Sequence, residues 1–164
     1  MGVESLFQIG DKVVYPMHGA GIIEAIEEKE ILGEKQKYYV MKMPVGNMQV
    51  MIPMANVSTL GLRQVVDTDS LEMVLDILKD QRQDLTSSWN HRYRKNMDKI
   101  KTGDIYEVAR VVRDLMRREK EKGLSTGERK MLDNARQILI SELVLVKEID
   151  QEQANHLLDK VVNN

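Results

Sequence analysis

The spacing of apolar residues changes close to residue 60, and this change constrains the fold more than any other feature of the chain. Before it, short runs of β-branched and aromatic residues alternate with turn-forming residues, which is typical of strands. These runs are 13–15, 21–23, 38–43 and 48–52. After it, apolar residues recur at the spacing of amphipathic helices. The sequence therefore predicts an α+β protein of two domains, with a small barrel or bent sheet over residues 1–60 and about five helices over residues 61–164.

The helical half contains recognisable start and stop signals for helices. The predicted elements, in order, are a helix over 71–78, a polar linker over 81–86, a helix capped by Ser87 or Ser88 that ends near Thr102–Gly103, a helix from Asp104 to Gly123, a helix from Ser125 to Val146 and a last helix from Asp150 to about Val162. The residues Ser125 to Glu128 form a capping-box pattern. Four arginines are expected to lie largely off the apolar face of their helix: Arg110, Arg113, Arg117 and Arg118.

The composition excludes several classes of protein. The formal net charge of the 164 residues is −2, but residues 89–147 contain fifteen lysines and arginines against nine acidic residues. Local potential decides whether a polyanion is attracted, so this basic block keeps a nucleic-acid partner open. There is no cysteine, no pattern of a secretory signal and no apolar window long enough to cross a bilayer. We therefore expect a cytoplasmic protein without a membrane partner.

No residue pattern typical of a catalytic or metal site is present in the sequence. The histidines, His18, His91 and His156, are far apart and lack metal-ligand spacing. His18, before Gly19, is expected in a turn. The segment 19–21 has two glycines but lacks the third glycine and the following helix of a phosphate-binding loop. We expect no enzymatic activity, no metal, no cofactor and no small-molecule substrate.

The most informative stretch for function is 87–101, which contains the only tryptophan, Trp89, among several basic residues. A large flat ring beside positive charge suits insertion between, or stacking on, nucleic-acid bases. A lone tryptophan on a helix more often anchors a core, so both interpretations stay open at this point. The start of the helix after Ser125 is a second candidate, because free N–H groups followed by Arg129 and Lys130 can bind a phosphate.

The motifs resemble the CarD/CdnL family of bacterial transcription regulators. The resemblance is carried by residues 9–21, 89–94, 103–115 and 124–139 and runs from about Phe7 to Val162. The opening motif is also similar to the RNA-polymerase-interacting module of the transcription-repair coupling factor. The resemblance implies a Tudor-like domain that docks on the β subunit of RNA polymerase. It also implies a helical domain at the upstream edge of the transcription bubble, where a tryptophan is inserted into the minor groove of promoter DNA.

The resemblance also implies roles for individual residues. Trp89 corresponds to the inserted tryptophan, and Arg94 and Arg129 correspond to residues that hold the DNA backbone. Arg92 and Lys130 are added from their position and charge. The predicted polymerase contacts are Lys29, Ile31 and Met51; Lys29 replaces a frequent arginine, which keeps the charge but loses the bidentate fork. Met51 lies where some relatives carry a second arginine, so an apolar contact is expected there.

Other function classes remain open on the sequence. In one, the protein is an adaptor that binds polymerase and a second protein, and Trp89 belongs to the core. In another, the β-domain binds RNA, although it has an acidic excess and lacks a basic face with aromatic residues. The sequence does not identify the regulated promoters, the direction of regulation or the oligomeric state.

Overall fold

The structure is a computed structural model that describes residues 6–81 and 88–163. Three sequence predictions fall outside these residues: the absence of a targeting signal at the N-terminus, the linker over 82–86, and Ser87 as an alternative helix cap.

The N-terminal unit is one antiparallel sheet of five strands. They are β1 (Lys12–Tyr15), β2 (Gly19–Ile31), β3 (Glu34–Lys42), β4 (Gln49–Pro53) and β5 (Arg63–Gln64), arranged in the order β4-β3-β2-β1-β5. One face of this sheet packs on an apolar core that includes Ile23, Tyr39, Met41 and Ile52. The Tyr39 hydroxyl donates to the carbonyl of Phe7 and accepts from its N–H group, both at 3.0 Å, which attaches the segment before β1 to this core.

Strand β2 is longer than the predicted run 21–23, and β3 lengthens with it into a hairpin. The second half of β2 is largely charged, so the sequence pattern did not indicate a strand there. Opposite charges face each other across the pair, with Glu28 opposite Lys37 and Glu30 opposite Lys35, and such pairs stabilise a sheet. Leu32 and Gly33 both have positive φ at the turn, as the tight turn of a hairpin requires.

A short helix α1 (Val57–Leu60) follows a 3₁₀ turn and packs on the core of the sheet. Within the described residues, the C-terminal unit consists of five longer helices. They are α2 (Thr68–Lys79), α3 (Trp89–Lys101), α4 (Ile105–Glu121), α5 (Thr126–Lys147) and α6 (Gln151–Asn163). The predicted α+β class with about five helices in the second half is confirmed. The predicted caps Ser88, Asp104 and Ser125 each accept a backbone N–H of their helix, and Asp150 accepts from the N–H of Gln153.

One expectation about the arginines of α4 is wrong. Arg113 is buried, and its guanidinium donates to the carbonyl of Ile77 at 3.1 Å. Arg117 donates to the carbonyls of Leu78 and Asp80. Because the last carbonyls of a helix have no partner within it, these two arginines satisfy the end of α2. Their role depends on a tertiary contact that helical periodicity alone does not reveal.

The sheet and the helices are joined through α5, which packs against β2. Ser141 Oγ accepts from the N–H of Ala20 at 2.8 Å, and a Cβ atom on Gly19 would approach that oxygen to 2.8 Å. The buried carboxylate of Glu142 accepts two bonds from Arg63, at 2.8 and 2.9 Å, and one from the N–H of Val66. The position of the sheet relative to α5 is therefore fixed by directional bonds as well as by packing.

Candidate nucleic-acid interface

Trp89 lies on the first turn of α3 with 42% of its surface exposed. Its ring stacks on that of Tyr93, one turn later, with centroids 5.0 Å apart and planes inclined by 20°. The indole Nε1–H donates to Ser125 Oγ at 3.0 Å. The interpretation of Trp89 as a core anchor is therefore wrong: the ring is held at the surface by a stacking partner and a hydrogen bond.

The first turn of α5 lies beside the first turn of α3. Ser125 caps α5 by accepting the N–H of Glu128 at 3.2 Å, with the same oxygen that binds Trp89. A Cβ atom on Gly127 would lie 3.5 Å from Trp89 Cζ2 and 3.6 Å from Tyr93 Cε2. The backbone of α5 thus approaches the two stacked rings closely. The two candidate stretches of the sequence, around Trp89 and around Ser125, form one surface.

Arg92, on the same turn of α3 as Trp89, is mostly buried. Its Nε and Nη2 donate to the carboxylate of Glu128 at 2.8 and 3.1 Å, and only 1% of Glu128 is exposed. The hydrogen bonds from Arg92 hold the pKa of Glu128 below its ordinary value, with smaller contributions from the charges of Arg92 and Arg118 and from a hydrogen bond with Trp89. The same bonds raise the pKa of Arg92.

The remaining residues predicted to bind DNA are exposed. Arg94 lies on α3, and Arg129 and Lys130 lie on the first turns of α5. Arg129 forms a 2.6 Å ion pair with Glu119 at the end of α4. Exposed pairs of this kind are weak, so this one contributes little to stability.

The three residues predicted to bind polymerase lie on one face of the sheet. Ala25 pairs with Val40, and Val40 pairs with Met51, so these three side chains share a face. Lys29 and Ile31 follow Ala25 at even spacing on β2 and point the same way. Lys29 is exposed, 52% of Ile31 is exposed and Met51 is half-buried. We call this the hairpin face; it is opposite to the face that carries Tyr39 and Ile52.

Within residues 6–81 and 88–163, no group of three or more histidine and acidic side chains is placed to hold a metal ion. No helix in these two segments is long and apolar enough to span a bilayer. The N–H of His18 donates to the carbonyl of Tyr15 at 2.9 Å, which confirms the predicted turn.

Two family models together match nearly the whole chain. A family model described as the CarD-like/TRCF RID domain matches residues 7–66, and one described as the CarD C-terminal domain matches residues 73–159. The putative transcription factor YdeB of Bacillus subtilis (strain 168) is 55% identical over 148 residues, which are 90% of this chain and 97% of that protein.

Solved structures of N-terminal domains are among those that match part of the chain. The solution NMR structure of the 72-residue N-terminal domain of Myxococcus xanthus CarD is 32% identical, covering 38% of this chain and 84% of that one, with a TM-score of 0.32. CdnLNt from Myxococcus xanthus is 36% identical, covering 40% of this chain and 93% of that one, with a TM-score of 0.33.

The fold and the family matches define a two-domain transcription factor, built from a small antiparallel sheet and a helical domain. More specifically, the chain belongs to the CarD family, which confirms the resemblance found in the sequence.

Sequence reasoning missed two parts of the surface formed by Trp89, Tyr93 and the start of α5, which we call the Trp89 surface. The stacking of Tyr93 was detectable, because aromatic residues four apart lie on the same side of a helix. The pairing of Glu128 with Arg92 was not detectable, because the capping-box pattern predicts that the Glu128 carboxylate accepts from the N–H of the N-cap residue instead. At the start of α6, Asp150 and Gln153 form both reciprocal bonds of such a box.

Proposed function

We propose that this protein docks on the β subunit of RNA polymerase through the hairpin face. We further propose that it stabilises the open promoter complex by inserting Trp89 into the minor groove at the upstream edge of the bubble. The observation that carries the proposal is the exposed Trp89 ring, anchored by Ser125 and Tyr93 beside the basic start of α5. Trp89 is the inserted group, and its family counterpart supports that assignment.

A ring held in this way suits insertion into DNA. Entering a base step requires partial unstacking, which costs a few kcal/mol, and a protein that inserts an apolar side chain recovers that cost through new contacts. Because the ring of Trp89 is already ordered in the free protein, less conformational entropy is lost when it enters the step. Reannealing of the strands would first have to expel the ring.

The backbone contacts are assigned to exposed cations on α3 and at the start of α5. Arg94, Arg129 and Lys130 are the proposed phosphate ligands, and neutralised phosphates release counterions. Three contacts of this kind give only a modest, salt-dependent affinity. Docking on polymerase compensates for it, because tethering raises the effective concentration of the helical domain near its DNA target.

The hairpin face is proposed as the polymerase contact because it combines an exposed cation with an apolar side chain. Lys29 and Ile31 lie at neighbouring positions of that face, beyond the region that packs against the helices. A patch of this composition suits an interface with an apolar centre and a charged rim. The proposed partners are therefore polymerase and promoter DNA, with no cofactor and no enzymatic step.

One alternative has a specific observation in its favour. An exposed, anchored tryptophan also suits the centre of a protein–protein interface. In that case the protein would be an adaptor that joins polymerase to a second protein without touching DNA.

The lifetime of open complexes distinguishes these two functions. With the cognate polymerase and a competitor that captures dissociated enzyme, the wild type is expected to lengthen the lifetime, and Trp89→Ala is expected to abolish that effect while still binding polymerase. Met73→Ala is the matched control, because Met73 is also an exposed large apolar residue but lies on α2. Equal lengthening by Trp89→Ala would favour the adaptor, and loss of polymerase binding by that variant would mark Trp89 as a structural residue.

A further inference from the structure

We propose that Glu128 is a positioning residue for Trp89. Through Arg92 it holds the first turn of α3 against the first turn of α5, and thereby sets the direction in which the indole ring projects. This inference rests on the proposed function, because the direction of the ring matters only if the ring enters DNA.

Two contacts join the two helix starts in register. Trp89 contacts Ser125, and Arg92 contacts Glu128. The two residues on α3 are three positions apart, and so are the two residues at the start of α5. The Ser125 bond holds the ring itself, whereas the Glu128 bond holds the helical turn that carries the ring. With both contacts present, neither the side chain nor its backbone turn is free to rotate relative to α5.

The electrostatics of the surface point to the same role. A buried ionised carboxylate costs free energy, and negative charge beside phosphates opposes DNA binding. Neither cost would arise if apolar side chains filled the positions of both Glu128 and Arg92. What the carboxylate adds is a two-bond contact with the planar guanidinium of Arg92, which fixes orientation as well as distance. Arg92, expected from the sequence to contact DNA, is thereby assigned to positioning.

The ring's own fluorescence tests the anchoring directly, because Trp89 is the only tryptophan. Glu128→Gln keeps the shape of the side chain and removes its charge, and Arg92→Lys keeps the charge and removes the fork. Both variants are expected to lower the fluorescence anisotropy of Trp89 and to increase its quenching by acrylamide, with unchanged far-ultraviolet circular dichroism. Unchanged anisotropy and quenching in both variants would overturn the proposal.

The matched control for these variants is Asp159→Asn. It removes the charge from a 2.8 Å carboxylate–arginine pair between Asp159 of α6 and Arg136 of α5, and neither residue lies on α3. Its Trp89 fluorescence is expected to equal that of the wild type. An equal loss of anisotropy in this control would mean that any weakened pair loosens the ring, which would overturn the specific role of Glu128.

The lifetime of open complexes then tests the consequence for function. Glu128→Gln is expected to shorten the lifetime about fivefold relative to the wild type, the factor that corresponds to ordering one side chain on binding. Its affinity for polymerase is expected to be unchanged. A wild-type lifetime in a variant with a loosened ring would overturn the positioning role. If Trp89→Ala itself matches the wild type, the proposed function fails instead, and the fluorescence result still reports whether Glu128 anchors the ring.

Discussion

Glu142 of α5 accepts two hydrogen bonds from Arg63 of β5, and this pair joins the helical unit to the sheet. The carboxylate is buried, while the guanidinium is partly exposed and also donates to the carbonyl of Gly103 at 2.9 Å. The Trp89 surface and the hairpin face thus belong to two units that share a directional, largely desolvated connection.

Replacing Arg63 by methionine should therefore destabilise the protein, because Glu142 would be left as a buried carboxylate without its cation. Removing one partner of a fully buried pair costs about 3–5 kcal/mol, and the partial exposure of Arg63 lowers the expected loss to about 2–3 kcal/mol. Urea unfolding measures this loss in the free energy of unfolding. Arg136→Met is the comparison, since it removes a more exposed pair of the same helix, and a loss no larger than in that variant would contradict this account.

The pH dependence of stability should reveal the bond between Arg92 and Glu128. Because the bond lowers the pKa of Glu128 in the folded protein below its ordinary value of 4.5, the stabilisation is fully present above that value. It is lost as the pH falls through the lower, folded pKa. The wild type should exceed Glu128→Gln in free energy of unfolding at pH 7, and the difference should shrink below about pH 4. A difference that stays constant down to pH 3 would contradict the prediction.

Removing the exposed acid beside Arg129 should strengthen the contact with DNA. In the free protein Glu119 pairs with Arg129, and an exposed pair of this kind is worth about 0.2–1 kcal/mol. Glu119→Gln should therefore lengthen the open-complex lifetime by about twofold at low salt, with a smaller effect at high salt. Glu107→Gln, which breaks the pair with Arg110 elsewhere on α4, should have no such effect. A shorter lifetime in Glu119→Gln would argue against Arg129 as a phosphate ligand.

The two faces of the β2–β3 hairpin should differ in their contribution to polymerase binding. Ile31→Asp places a charge on the hairpin face and should weaken the affinity at least about tenfold, as expected for an apolar residue inside an interface. Ile26→Asp places the same charge on the opposite face. Affinity for polymerase, measured by titration, should remain close to wild type in that variant. Equal losses would indicate a general effect on the hairpin and would contradict the assignment of the hairpin face.

Much of the fold was predictable because local signals decide it. The caps Ser88, Asp104 and Ser125 precede clear apolar periodicities, and the structure places helices where these signals predict them. The outer half of β2 was not predictable, because its residues are charged and its stabilisation comes from the pairing with β3. Arg113 was misplaced for a similar reason: its partner, the carbonyl of Ile77, belongs to a different helix.

The candidate site was predictable in its residues but not in its arrangement. Trp89 and the start of α5 were both identifiable in the sequence, yet their proximity depends on how α3 and α5 pack. Whether Arg92 is a free cation or half of a buried pair depends on the same packing. The domain boundary near residue 60 stays a prediction, and the structure places β5, at Arg63–Gln64, in the sheet.

The central claim is that the ring of Trp89 occupies a base step at the upstream edge of the bubble, and a fluorescent base analogue tests it most directly. With 2-aminopurine at that edge of the promoter, the wild type should change the analogue's fluorescence in open complexes, because the inserted indole replaces the neighbouring base as its stacking partner. Trp89→Ala bound to the same complexes should leave the signal unchanged, and an analogue placed downstream should respond to neither protein. An equal change with Trp89→Ala, or no change with the wild type, would contradict the insertion of Trp89.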